Sequence, residues 1–390
     1  MDDRERRLRL ARRHHLAPDA SAPDPVAATR SLVAVHATDP ASATLGLLAR
    51  ITAGSVAAIE EALYRERSLV RMLGMRRTVF VVPAELAPVV HAACTRAIAA
   101  QERRKLIQAI EAGGVATDGA AWLARVEDDT LAALDRRGEA LGQELSRDVP
   151  ALRTTITYGD GTKSWGGPVA LTTRILSVMA AEGRMVRGRP RGSWISSQHR
   201  WVAGPHWRHG AAEPPLALAR VELARRWLAG YGPATVADLK WWTGWTLGDT
   251  RKALAGVGPV EVELENGATG LVLPGDEEPV SPAREGWVAL LPALDSTVMG
   301  WADRTWFLGL QQAQHFDRSG NVGPTVWCDG RVVGAWAQRK DGSIAVRLLG
   351  DVGRDGRVAI DAAADRLRRI IGDIRVTPRF RTPLERELAG

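Results

Sequence analysis

The spacing of apolar positions changes period several times along this chain. Helical spacing in "RLRLARRHHLAP" predicts a short basic helix stopped by Pro18, with His14 and His15 pointing to different sides. "ASAPDP" reads as a linker, and Asp24-Pro25 as an N-cap with proline at the first helical position, opening a helix that runs to about His36. Asp39-Pro40 repeats the device for "PASATLGLLARI", and "SVAAIEEALYRER" predicts a third helix. The pattern then turns β-rich in "SLVRMLGMRRTVFVVP", two strands around a Gly74-Met75 turn. Three helices and a hairpin are the order of a winged helix, here over residues 25–83, and a helical extension follows over 84–112.

The same order recurs twice. After a helix over 118–136, "GEALGQELSRDVPAL" is a short helix and turn. "VALTTRILSVMAAEGRMVRGRPRGSWISSQHRWV" is an amphipathic helix followed by strand, basic loop and strand. In "YGPATVADLKWWTGWTLGDTRKALAGV" one helix opens after Pro233 and another follows the Gly244 turn; "VEVELENGATGLVL" supplies a hairpin around Asn266-Gly267. The repeat is one of architecture, not of sequence. The remainder is mostly β, closed by the helix "VAIDAAADRLRRIIG".

The expected fold is therefore α+β, three tandem winged-helix units with a C-terminal β-rich region. Residues 1–115 hold the basic helix and first unit, 116–212 the second with a basic wing, 213–280 the third, and 281–390 the β-rich part and closing helix. Winged units point to duplex DNA, because a recognition helix fits the major groove and a basic wing reaches backbone or minor groove.

Charge sharpens this picture. The net charge is +7, carried almost wholly by arginine: the only lysines are Lys105, Lys163, Lys240, Lys252 and Lys340. Arginine's forked donors suit phosphate and guanine edges, although a GC-rich genome also enriches it. Of the 21 aromatics 14 are tryptophan, too scattered for a single-strand stacking platform. No apolar run reaches the ~20 residues of a membrane span, and the charged N-terminus does not resemble a signal peptide. Cys94 and Cys328 stand far apart, as expected of a reducing cytoplasm.

Candidate chemistry centres on "SLVAVHATDP". His36 there is open to three readings: packed core residue, metal ligand or general base. Asp39 before Pro40 is first an N-cap, and Thr38 can serve the local backbone. Arg71, Arg76 and Arg77 flank the first hairpin as candidate phosphate clamps. Lys163, Arg187, Arg189, Arg191 and Arg200 line the second wing region as the main phosphate-binding candidates. Each set has a plainer reading as a solvated wing. Trp165 or Trp194 is a candidate wedge or a packing residue. Asp295 ends an apolar strand as a cleft carboxylate or a cap, and Asp303-Arg304 reads as a surface ion pair. His206-x-x-His209 lacks the partners of a zinc site, so no metal or other cofactor is expected.

"LVAVHATDP", "LVRMLGMRRTVFVVP", "GPATVADLKWWTGW", "LLPALDSTVMGWADR" and "GNVGPTVWCDGRVVGAWAQR", in this order, resemble the bacterial winged-helix DNA glycosylases related to AlkZ and YcaQ. The resemblance covers nearly the whole chain. It implies a cytoplasmic, nucleoid-associated DNA-repair enzyme that removes bulky or cationic alkylpurine adducts of the N7-alkylguanine type from duplex DNA. Genotoxin (antibiotic) self-resistance and crosslink unhooking are the biological roles that go with it. The family's signature, glutamine, an apolar residue, then glutamine or aspartate, falls on His36-Ala37-Thr38, so this chain departs from it at both polar positions. Pro40 pushes Asp39 out of the helical region, and in extended backbone residues 36 and 38 face one side. His36, with an ordinary pKa near 6.5, is then the expected water-activating base, Thr38 a water-orienting hydroxyl and Asp39 the carboxylate facing developing positive charge. The alternative is a non-catalytic winged-helix DNA-binding protein, a regulator or lesion binder.

Overall fold

The structure, a computed structural model, describes residues 1–158, 167–204, 212–281 and 286–390, with backbone alone at Tyr158 and residues 310–312. Lys163, Trp165, His206 and His209 lie outside the described residues. Helix α1 (Asp3–Arg13) is capped by the Asp2 side chain. It is basic, yet Arg6 and Arg9 are buried. Arg9 donates to Glu5 and to the carbonyls of Asp276 and Glu278, and Arg6 stacks on Trp306 at 4.1 Å. The helix docks into the protein through its own charges.

Helix α2 (Pro25–Ser31) starts where expected, with the Asp24 carboxylate accepting from the Ala27 N–H. It ends earlier than its apolar pattern predicts. Val33 takes φ 63°, and the chain enters strand β1 (Val35–His36). The helix gives way because β1 pairs antiparallel with the second hairpin strand, Val35 opposite Val81 and His36 opposite Phe80. Periodicity within one segment carries no information about that distant partner. Asp39 then caps α3 (Pro40–Leu48) in extended backbone. Helix α4 (Val56–Glu60) continues through a π turn over Glu61–Arg65, and β2 (Leu69–Leu73) and β3 (Val79–Pro83) form the hairpin. The strand order is β1-β3-β2.

After α5 (Ala87–Val90) and α6 (Arg96–Ala112) the same order returns. Helix α7 (Gly119–Arg137), β4 (Glu139–Leu141), α8 (Gly142–Asp148), the pair β5 (Thr155–Tyr158) and β6 (Gly167–Ala170), α9 (Thr172–Ala181), β7 (Met185–Pro190) and β8 (His199–Ala203) give a sheet ordered β4-β8-β7. Once more the lone strand pairs with the second hairpin strand. In the third instance α10 (Leu216–Tyr231), α11 (Val236–Thr243) and α12 (Leu247–Val257) precede β9 (Val260–Glu263) and β10 (Thr269–Val272). There the lone strand is reduced to a bridge from Ala234 to Leu271 in β10. The Thr235–Asp238 capping box opens α11, and left-handed Gly244 closes it.

An antiparallel sheet, β11 (Val288–Leu291), β12 (Thr325–Cys328), β13 (Arg331–Gln338) and β14 (Ile344–Leu348), follows, with α13 (Thr305–Leu308) before β12. Helices α14 (Gly353–Ile371) and α15 (Pro383–Ala389) pack on it. The mixed helix and sheet expected from the sequence is present. One apolar core joins α1, the first hairpin, α10–α12 and the 287–327 region. A second joins α2–α4 to the four-stranded sheet and α14, and a third lies wholly within residues 106–203. No helix among the described residues is long and apolar enough to cross a membrane.

Candidate functional site

His36 is the last residue of β1, and both its neighbours and its backbone are fixed from elsewhere in the chain. Its N–H donates to Ser296 Oγ at 2.9 Å, and that hydroxyl donates to the Ala34 carbonyl at 3.2 Å. The segment 295–297 is itself anchored. Asp295 forms a buried two-pronged ion pair with Arg50 (2.7 and 2.9 Å), and Arg50 also donates to Thr297 Oγ1 at 2.7 Å. The fully buried His14 closes the chain of contacts through Thr297 Oγ1 and the Gly230 carbonyl. Asp295 is therefore a structural anion inside the fold, with no face on a cleft. His15 turns the other way, to Ala20 and Ser31.

The His36 ring is 7% exposed and meets Phe80 edge-on at 5.4 Å. Its Nδ1 is buried with no hydrogen-bond partner. Burial, with the charge of Arg76 adding, lowers its pKa to about 3. The ordinary value expected from the sequence does not survive folding, and the ring is neutral throughout the physiological range. Ala37 is fully buried, its N–H bonded to the Val79 carbonyl, while Thr38 is half-buried. The strand ends at His36, the chain bends at Thr38 and Asp39, and Asp39 takes extended dihedrals as the N-cap of α3. Asp39 is buried, one carboxylate oxygen accepting from the Ala41 N–H (3.1 Å) and the other from the Arg379 N–H (3.0 Å).

The arginines divide into three groups. Arg71 sits inside β2, nearly buried, and clamps the Ala37 carbonyl with Nε and Nη2 (3.1 and 2.6 Å). It braces the motif from behind. Beside it, burial and the charge of Arg71 lower Arg187 to about 10; Arg187 lies over Trp201 at 5.3 Å. His199, edge-on to Trp201, is lowered to about 3 by burial and then by Arg187 and Arg71. Second, Arg77, Arg189 and Arg200 are paired with Glu102, Glu60 and Glu139. Arg191 is exposed on the loop between β7 and β8. Trp194, from the same loop, is 8% exposed and packs with α3 and α4; it is a packing residue.

In the third group the sequence pointed to Arg76 as a candidate phosphate clamp, but not to Arg304 or to the indole the two share. Arg76, in the β2–β3 turn, stacks on Trp241 of α11 at 3.9 Å. Arg304 lies over the same indole at 4.7 Å. The expected surface ion pair with Asp303 does not form: Arg304 is 8% exposed, and Asp303 accepts from Thr305 instead. Among the described residues no group of His, Cys, Asp and Glu is arranged to hold a metal.

Residues 29–370 match the family described as DNA glycosylase AlkZ-like. The solved structure of Streptomyces sahachiroi DNA glycosylase AlkZ is similar over 98% of this chain and 100% of that one, with a TM-score of 0.73 and 20% identity. No curated protein matches. The structural likeness speaks for the fold, and the family match spans most of the chain, including the His36 motif. The chain belongs to the AlkZ-like DNA glycosylases.

Proposed function

We propose that this protein hydrolyses the N-glycosidic bond of bulky or cationic alkylpurines in duplex DNA, the N7-alkylguanine type above all. One observation carries the reading. At the family's polar–apolar–polar position stands a neutral imidazole carried on strand β1, its Nδ1 buried without a protein partner, so that Nε2 is the ring nitrogen left to meet a water. An N7-alkylated base leaves already carrying positive charge, so no general acid has to protonate it. What remains is to place a water and to favour the cation developing on the deoxyribose.

A histidine whose pKa lies near 3 is a weak base but a good hydrogen-bond acceptor. Its work is to hold the attacking water, with Thr38 as the second contact, and the reactive sugar cation needs no strong base to draw water in. Asp39 supplies a buried negative charge beside them. None of the five lysines lies within the motif in the sequence, which supports a monofunctional hydrolase rather than Schiff-base chemistry. The repeated helix–strand–helix–helix–hairpin units are read as three winged helices, with Arg187 and Arg191 on the DNA-facing wing and roles in genotoxin resistance or crosslink unhooking.

A second reading, DNA binding without base release, is favoured by one contact pattern: both Asp39 oxygens are already bonded to backbone N–H groups. Duplex DNA carrying N7-methylguanine separates the two. The wild-type protein releases the base and leaves alkali-labile sites, and His36→Ala does not. Binding by both proteins with release by neither, across several adducts, assigns the second reading.

A further inference from the structure

Two desolvated guanidinium groups share one indole in this protein. Arg76 and Arg304 lie 3.9 and 4.7 Å from the Trp241 centroid, and Arg304 also covers Phe316 at 5.0 Å. Cation–π contact stabilises such groups but neutralises neither. Among the described residues no carboxylate pairs with either one. The nearest acids are committed elsewhere: Asp238 accepts from the N–H groups of Ala302 and Asp303 and from Thr235, and Asp303 accepts from Thr305. Both Nε atoms are buried without a partner, which leaves the Nη ends as the reachable edges. Burial, with the charge of Arg76 adding, brings Arg304 down to about 10. Arg304 is buried and Arg76 half-buried, and Asp238 and Asp303 act on Arg304 without pairing with it directly. Two like charges sharing one indole without a direct ion pair are a destabilising arrangement, and such arrangements concentrate at binding sites.

The arrangement is also built to fit. Arg76 and Arg77 hold left-handed backbone, φ 51° and 61°, a strained conformation for arginine. The end of α11 is shaped around Arg76: a Cβ on Gly244 would come within 3.0 Å of its Cγ. Rings link this spot to the motif, because Trp242 lies 6.5 Å from Phe80 and Phe80 lies 5.4 Å from His36. A guanidinium stacked by its face keeps its N–H edge free for a tetrahedral oxyanion.

We propose that Arg76 and Arg304, seated on Trp241, form a clamp for one DNA phosphodiester next to the nucleotide that His36 faces. This rests on the reading of His36 as the glycosylase site. The clamp supplies positioning: phosphate contacts fix register on the duplex and carry no base information.

The test uses the full-length protein and duplexes carrying a tetrahydrofuran abasic analogue, with single methylphosphonates walked along the strand around it. Arg304→Gln is expected to weaken binding about fivefold to tenfold and to lower the salt slope by about one. For the wild type, one methylphosphonate position reproduces that loss; for Arg304→Gln the same position costs nothing further. Arg304→Lys recovers part of the affinity. Unchanged affinity and slope in a folded Arg304→Gln protein overturn the clamp. If that variant unfolds, the walk with wild type and Arg304→Lys decides, and absence of any position whose cost depends on residue 304 overturns it. The base-release assay reads the enzyme question separately: a clamp without release sinks the glycosylase reading alone, and release without a residue-304-dependent phosphate sinks the clamp alone.

Discussion

Burial, assisted by Arg76, holds His36 near pKa 3, whereas a histidine in the unfolded chain titrates near 6.5. Between those values the unfolded chain binds a proton that the folded one refuses. Stability therefore rises with pH across that window and falls on acidification, by at most about 1.4 kcal/mol per pH unit for each such histidine. His199 and His315, lowered to about 3 and about 4, act in the same direction. Melting temperature is expected to drop between about pH 7 and pH 4.5, and His36→Gln to flatten part of that drop; an equally steep drop in the variant counts against a neutral His36. The same neutrality predicts catalysis without an inflection near pH 6.5: single-turnover base release is level from about pH 5 to 9, whereas a histidine of ordinary pKa whose neutral form is needed gives a limb near 6.5. His36→Ala is expected to lose about a hundredfold or more, and His36→Gln, which restores an amide, to keep most of the rate. The sequence singled out His36 by its place in the motif. It did not yield the ring's pKa, which is set by Phe80, Arg76 and the burial that surrounds them.

Among the elements, β1 depends on a contact that no local pattern announces. Ser296 Oγ serves the His36 N–H and the Ala34 carbonyl together, so Ser296→Ala leaves a buried donor and a buried acceptor unmet. The expected cost is about 1–3 kcal/mol, seen as a lower denaturation midpoint, with a fall in kcat rather than a rise in KM because the strand carrying His36 loosens. Asp295→Ala goes further, since it strands Arg50 inside the fold; about 3–5 kcal/mol is expected. A denaturation midpoint equal to wild type in Asp295→Ala rules that pair out as an anchor. Caps and turns, by contrast, were legible. Asp24-Pro25, Asp39-Pro40, Thr235 and Gly244 each fix a helix end through chemistry within four residues. The end of α2 was not, because Val33's left-handed turn and the pairing of β1 with β3 answer to residues more than forty positions away.

For the molecule as a whole, the sequence gives a charge and the fold decides where it acts. A surplus of +7, carried almost wholly by arginine, suits phosphate contacts, yet many arginines are spent within the protein. Arg9 is 1% exposed and tied to Glu5 and to the backbone after β10. Arg50 sits in the core, Arg71 braces Ala37, and Arg103 and Arg184 converge on the buried Glu127. Composition cannot separate these from Arg191, which stands exposed on the loop between β7 and β8, but counterion release can. Each phosphate neutralised by the protein adds about 0.9 to the slope of log K against log salt. Arg191→Gln is therefore expected to lower that slope by about one, and to weaken binding several-fold near physiological salt, with no change in melting temperature. Arg9→Gln is expected to do the reverse: the slope holds while the melting temperature falls by several degrees, because Glu5 and two carbonyls lose their donor. Fluorescence anisotropy of a labelled duplex between about 50 and 200 mM salt, run beside thermal denaturation, reads both. Equal slopes for wild type and Arg191→Gln would remove that hairpin loop from the DNA-binding surface and leave the clamp around Trp241 to hold the duplex.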